Sequence, residues 1–389
     1  MGKERYKLTV EPITCVHIGT GERLTPLDYK IALSKTGRRL YVTFSSDSVI
    51  KKITNDSQKF SEFDKLSSLG DMKGMVAFFH KNSSNDDMNY MCHCTKEFIR
   101  VYEANKEKDP LQNAAEVFQM YRPEGGRSPV IPGSSLKGSI RTAFLNGEFK
   151  KSFEKYELRR FVTERGEKEQ QIQKELLKFT DAKNDPFRAL QIGDCIFEGK
   201  GTQCVGMIKN VKYDSQKQET IPYNSSQVLS EVIKGYFMEN DTEINLCGES
   251  CFVINSDLSD VRLPQKAVSK KIAMQDIIKA CNDFYLTEFE NEYRKHYKEA
   301  TNSECDAITN LYKELKSIAT KSASNEFIIR VGRWSQVEFV TYENDLRYPR
   351  TPSKKGRKMP YGTTRWVFNN DGQYLPLGWC KCKLTPMEK

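Results

Sequence analysis

No apolar run in these 389 residues reaches the length of a membrane span. The opening MGKERYKLTV turns at once into a strand-like pattern and lacks the apolar core of a signal peptide. Gly2 follows Met1, but Arg5 and Tyr6 make a poor myristoylation context. The cysteines number 11, an odd total, scattered rather than framed as a disulfide set. Fixed-period repeats of the solenoid kind are also missing. Together these absences predict a cytoplasmic protein with no membrane partner.

What is present is charge. Lys and Arg total 61 against 52 for Asp and Glu, a net charge of +9. That balance favours a polyanionic partner through phosphate neutralisation and counterion release. Hydrophobic residues reach 38% and charged residues 29%. The chain can therefore build a core under a large charged surface. Its length suits two domains, or one with large insertions.

The pattern along the chain is α+β. Tyr6–His17 alternates and is rich in β-branched residues, so it reads as a strand. Gly19-Thr20-Gly21 ends it. Tyr29–Leu33 and Arg39–Phe44 form a hairpin around Lys35-Thr36-Gly37. Ser45–Leu69 and Glu97–Tyr102 read as helices, with a loop over Lys81–Asn89. Further strands are expected near Leu190–Phe197 and Gln203–Lys212. Residues 267–320 become helical, with one apolar stripe of Ile278, Cys281, Tyr285, Phe289 and Tyr293. A second stripe is Ile308, Leu311, Leu315 and Ile318. Strands return over Phe327–Leu384. Glu164–Lys178 is a highly charged helix, solvated or facing a protein partner, with Ile172, Leu176 and Leu177 as its main apolar positions.

Pro129–Phe144, PVIPGSSLKGSIRTAF, carries the chemistry. Pro132-Gly133 forces a turn, and Leu136, Ile140, Ala143 and Phe144 then share a helix face. Ser134 or Ser135 suits the N-cap. The free N–H groups and positive end of the helix dipole favour an anion. Lys137 adds a charge in the first turn, and Arg141 lies one turn on along the same side. Gly138 admits a closely approaching backbone or base. This helix start is suited to a phosphate. It is not a P-loop, because the GxxxxGK[ST] spacing is absent.

IPGSSLKGSIR (131–141) resembles the signature of the RAMP superfamily, the repeat-associated proteins of CRISPR–Cas systems. Val16–Gly21 with Leu24–Tyr29, DPFRALQIGD (185–194) and LPLGW (375–379) resemble further signatures of one RAMP family. That family is the guide-capping subunit of the type III-A effector, the Csm complex. The resemblance implies a ferredoxin-like, RRM-related core with a second α+β region and a helical insertion. The corresponding expected divisions are an N-terminal RAMP domain over 1–200 and a C-terminal region over 201–389. The latter holds the insertion at about 267–320 and a basic tail at about 345–366. Implied partners are the 3′ part of a guide RNA, target RNA, the backbone RAMP subunit and other Csm subunits, and recruited host nucleases that mature the guide. No cofactor is implied.

The tail, DLRYPRTPSKKGRKMPYGTTRW, is the most basic stretch. Arg347, Arg350, Lys354, Lys355, Arg357, Lys358 and Arg365 stand among Tyr348, Tyr361 and Trp366. Cations interleaved with aromatics suit single-stranded RNA. Gly332-Arg333-Trp334 follows a strand, placing Arg333 to meet a phosphate and Trp334 to stack or join the core. Gly19 and Gly21 are placed to admit a guide backbone.

An endoribonuclease is the competing reading, with His17 as general base of a metal-independent cleavage of guide precursors. No second catalytic group stands at a recognisable spacing from it. His296 reads as structural, and Asp185 and Asp194 are only weak acid candidates. Cys92 and Cys94, flanking His93, are too close for a usual zinc knuckle. With Cys247 and Cys251 four apart and Cys380 and Cys382 two apart, the sequence does not offer two workable C-x2–4-C pairs, so no metal is expected.

Overall fold

Strand β1 (Lys3–Pro12) buries Leu8 and Val10 and turns Lys7 outward, the alternation of a half-buried strand. The computed structural model describes residues 2–106, 108, 115–123, 126–152, 167–199, 201–238, 246–259, 267–321, 325–340, 342 and 362–388. The later strands are β2 (Gly19–Leu24), β3 (Tyr29–Leu33), β4 (Arg39–Phe44), β5 (Met88–Cys94), β6 (Val117–Met120), β7 (Val130–Ile131) and β8 (Leu190–Ile192). They continue as β9 (Cys195–Ile196), β10 (Gln203–Asp214), β11 (Glu219–Ile233), β12 (Gly248–Asn255), β13 (Glu326–Arg330), β14 (Arg365–Asn370), β15 (Gln373–Pro376) and β16 (Trp379–Pro386).

The first sheet has seven strands in the order β13-β16-β1-β12-β9-β7, with β8 also on β12. β1 pairs antiparallel with β12, from Lys3↔Asn255 to Val10↔Gly248. Its other edge pairs antiparallel with β16, from Tyr6↔Pro386 to Pro12↔Cys380. The helix Gly133–Ser152 lies between β1 and β8 in the chain, and the helix Met274–His296 between β12 and β13. Strands β16-β1-β12-β8, with a helix after β1 and another after β12, make the split βαβ pattern of a ferredoxin-like fold. The expected α+β core is therefore present.

The two helices and the sheet share one core. Leu136, Ile140, Ala143 and Phe144 pack with Leu8, Val10, Phe252, Tyr285, Phe289 and Trp379. Burying each large apolar side chain contributes roughly 1.5–3 kcal/mol. The helix Asp306–Thr320 adds Ile308, Leu311, Leu315 and Ile318 to the same core. The helical region thus packs as a layer on the first sheet.

The second sheet has nine strands, ordered β2-β6-β11-β10-β5-β4-β3, with β14 on β10 and β15 on β14. Pairs β10–β5 and β11–β6 are parallel. The β3–β4 hairpin turns at Gly37, where φ is +77°. Both sheets draw strands from either side of residue 200, so the expected boundary there does not separate them.

Local differences have local causes. The expected helix Ser45–Leu69 is two, Ser46–Ile53 and Ser57–Leu69, because Asp56 caps the second by accepting from Lys59 N–H. The helix Met72–Asn82 and strand β5 follow, and they narrow the loop expected over Lys81–Asn89 to residues 83–87. The expected strand Leu190–Phe197 breaks at Gly193-Asp194. Among the described residues, no helix is long and apolar enough to cross a membrane.

Candidate nucleic-acid interface

The signature helix begins pressed against the chain around β8. A Cβ on Gly133 would stand 2.1 Å from Ile192 O, so only glycine permits this approach. Gly133 N–H donates to Asp194 Oδ1 at 2.8 Å. Lys137 Nζ donates to Leu190 O at 2.7 Å. Arg141 pairs with Asp185 at 2.9 Å, donates to Gln173 Oε1 and lies over the Phe187 ring. Asp185 also accepts from Phe187 N–H at 2.9 Å.

These contacts revise the phosphate site. The Asp194 carboxylate, not Ser134 or Ser135, caps Gly133 and takes the place of an anion at the helix start. Lys137 is committed to a carbonyl, and burial pushes its ammonium below the usual lysine range. Arg141 is committed to Asp185 and Gln173. The stretches 131–141 and 185–194 therefore form one clamp. The charged helix Glu167–Leu177 belongs to it, burying Ile172, Leu176 and Leu177.

The other face of the signature helix borders a cleft of about 470 Å³. Ser135, Gly138, Ser139 and Thr142 form one wall. Ile18 and Gly19 contribute from the start of β2, and residues 330–333 from the end of β13. Gly138 is exposed, with open space where a side chain would stand. Gly332 has φ +94°, and a Cβ there would lie 2.5 Å from His17 O. Ser139 Oγ donates within 3.2 Å of Arg330 O, holding helix to strand. Thus Gly19, Ser135, Gly138 and Arg333 come together, although they span the chain. Ser134 is exposed at the start of the same helix, and Gly21 is exposed in β2 with φ +94°.

Arg333 is exposed and lies over Phe118 at 4.4 Å and over Trp334 at 5.0 Å. Its N–H donates to His17 O at 2.9 Å. Trp334, half-buried, packs between His17 and Trp366. Its φ is +64° and that of Gln336 is +69°, strained values for side-chain-bearing residues. The loop after β13 is therefore held in an unusual shape at the rim of the cleft.

Behind this loop His17 is fully buried. Its Nδ1 lies 2.7 Å from Glu231 O. Burial lowers its pKa to about 4, far from that of a general base working near neutrality. Glu231 anchors a cluster that the sequence pattern did not reveal. Its carboxylate accepts from Tyr90 OH at 2.6 Å, Met120 N–H at 2.9 Å and Arg122 Nη1 at 2.7 Å. Arg122 in turn stacks over Tyr90 at 3.6 Å.

Arg365 is not an RNA contact. It is fully buried, pairing with Glu338 at 2.9 Å and Glu292 at 3.4 Å. Arg330 meets the other Glu292 oxygen at 2.6 Å. Such a network anchors the chain where it re-enters β14. Arg347, Arg350, Lys354, Lys355, Arg357 and Lys358, with Tyr348 and Tyr361, lie outside the described residues. The LPLGW stretch is core: Leu375, Leu377 and Trp379 are buried, and Gly378 has φ +91°. Among the described residues no cluster of His, Cys, Asp or Glu is arranged to hold a metal.

Fold and cleft together define an α+β protein of the ferredoxin-like, RRM-related class. The chain belongs to the RAMP superfamily, whose family model matches residues 9–343. It is 25% identical over 407 residues to the CRISPR system Cms protein Csm5 of Methanocaldococcus jannaschii, covering 96% of this chain and 88% of that protein. Its fold is similar to a chain in a cryo-EM structure of a type III-A Csm–crRNA–target RNA ternary complex. That match has a TM-score of 0.60 at 16% identity and covers 97% and 100% of the two chains. The crystal structure of T. onnurineus Csm5 is likewise similar, with a TM-score of 0.57 at 16% identity, over 96% and 99%.

Proposed function

We propose that this chain is an RNA-binding subunit of a type III-A CRISPR effector complex. It binds the 3′ part of the guide RNA, caps the complex and supports guide maturation in antiviral defence, in the cytoplasm. Its partners are the guide, target RNA, the backbone RAMP subunit and other Csm subunits, and recruited host nucleases. The carrying observation is the convergence of Gly19, Gly138 and Gly332 on one cleft with Arg333 exposed beside it. Glycines let a sugar–phosphate backbone approach, and an arginine over aromatic rings offers charge and a flat stacking surface. The family membership and the name of the Methanocaldococcus relative support the same reading.

We read the role as binding rather than cleavage because burial lowers the pKa of His17, the imidazole behind Gly19 at the cleft, to about 4, which makes it a weak base near neutrality. The contacts assigned to RNA are Gly19, Gly21, Ser134, Ser135, Gly138 and Arg333. Arg347, Arg350, Lys354, Lys355, Arg357 and Lys358 are assigned with them on their sequence pattern. The test is affinity capture of the tagged full chain with its complex, followed by sequencing of the retained RNA. Enrichment of guide RNA, reduced by Arg333→Ala together with the six tail cations changed to Ala, is expected. Equal guide recovery from that variant overturns the assignment.

A further inference from the structure

His17 carries a buried acceptor. Glu231 O can only accept, so the close Nδ1 bears the proton. Nε2 then presents a lone pair, and it has no hydrogen-bond partner among the described residues. Leaving such a group unmatched is costly. The nitrogen lies behind Gly19: a Cβ there would stand 2.8 Å from Nε2. Gly19 lines the cleft, and any other residue at that position would cover the nitrogen. Between Gly19 and Arg23 the β2–β6 register shifts, so Thr20–Glu22 leave the ladder. This exposed stretch can move aside without breaking a ladder pair.

The chemistry of the missing partner is constrained. A lone pair needs a donor, which excludes phosphate oxygens. A ribose 2′-hydroxyl is a donor, is small, and lies on the backbone that glycines admit. We infer that His17 Nε2 accepts a hydrogen bond from a 2′-hydroxyl of the guide RNA seated against Gly19, so that His17 and Gly19 distinguish RNA from DNA. This rests on the RNA-binding reading above. Burial keeps the imidazole neutral at physiological pH, so the lone pair is available there. The same weak basicity separates recognition of the hydroxyl from its deprotonation.

The test uses the full chain in its assembled complex and fluorescence anisotropy with 3′ guide segments. Guides carry single 2′-deoxy or 2′-fluoro substitutions; fluorine can accept but not donate. At one guide position, loss of the hydroxyl should weaken binding about tenfold, and fluorine should not restore it. His17→Asn keeps an N–H for Glu231 O but places no atom where Nε2 stands, and Gly19→Ala covers Nε2. Both variants should bind the all-ribose guide as weakly as the deoxy guide. Indifference to the 2′ group at every guide position overturns the inference. So does rescue by fluorine, a sugar effect found only in the target strand, or cleavage of the guide that His17→Asn abolishes. A complex that fails to bind the all-ribose guide at all overturns the RNA-binding reading itself.

Discussion

The Arg141 guanidinium and the Asp185 carboxylate face each other at 2.9 Å, joining two signature stretches into one clamp. Both side chains are about one-fifth exposed, so solvent only partly screens the pair. Arg141→Ala should lower stability by about 1–2 kcal/mol, measured by chemical denaturation. A double-mutant cycle with Asp185→Asn should show positive coupling. RNA affinity should remain intact once the protein is folded. Loss of RNA affinity at unchanged stability would instead place Arg141 on the RNA.

Two arginines should behave oppositely. Arg333 is exposed, so Arg333→Ala should leave the melting temperature unchanged while weakening guide binding. It should reduce the salt dependence of affinity by about one in log–log slope. Arg365 is buried against Glu292 and Glu338, and removing one partner strands the others. Arg365→Ala should therefore destabilise the fold by about 3–5 kcal/mol. Thermal melts and salt-series titrations of both variants distinguish the roles.

Gly332 joins a positive φ to a close approach. Alanine there would place a methyl 2.5 Å from His17 O, besides the strain at φ +94°. Gly332→Ala should cost more than about 1 kcal/mol and impair guide binding in the folded fraction. Near-wild-type stability in denaturation would show that the loop after β13 yields freely.

Acid should weaken the fold through its buried histidines. Burial lowers His17 to about 4 and His296 to about 3. In the unfolded chain both titrate near 6.5. Below about pH 6.5 the unfolded chain therefore binds protons that the folded protein refuses. Their contribution to stability is whole above that pH and is lost as pH falls towards 4, by up to about 1.4 kcal/mol per pH unit for each histidine. Denaturation between pH 7 and pH 5 measures the slope, and His17→Asn should make it shallower. An unchanged slope in that variant would mean that His17 binds protons equally in the folded and unfolded chain.

Thiol labelling should follow burial. Cys251 is exposed, whereas Cys15, Cys92, Cys380 and Cys382 are buried with their pKa values pushed up. Burial accounts first for each rise. Under native conditions Cys251 should react with a maleimide well before these four. Mass spectrometry of the labelled protein reads the order directly.

Local patterning made much of this protein legible. The β3–β4 hairpin, the apolar face of Leu136, Ile140, Ala143 and Phe144, and the stripes of the two later helices follow from side-chain periodicity, which depends only on neighbours in the chain. The glycines at 19, 138 and 332 were legible for a related reason, since each lies at the end of an element or on its open face. What a cation binds was not legible. Lys137 and Arg141 read as phosphate ligands because nothing local answers their charge. Their partners, Leu190 O and Asp185, arrive from a segment some fifty residues away. Arg365 read as part of a basic tail until Glu292 and Glu338 enclosed it. By itself the sequence determined the secondary elements, the superfamily signatures and the stock of charge. Tertiary structure alone decided which charges remain for RNA, because an ion pair depends on distance in space and on exclusion of water, and neither is written in residue order.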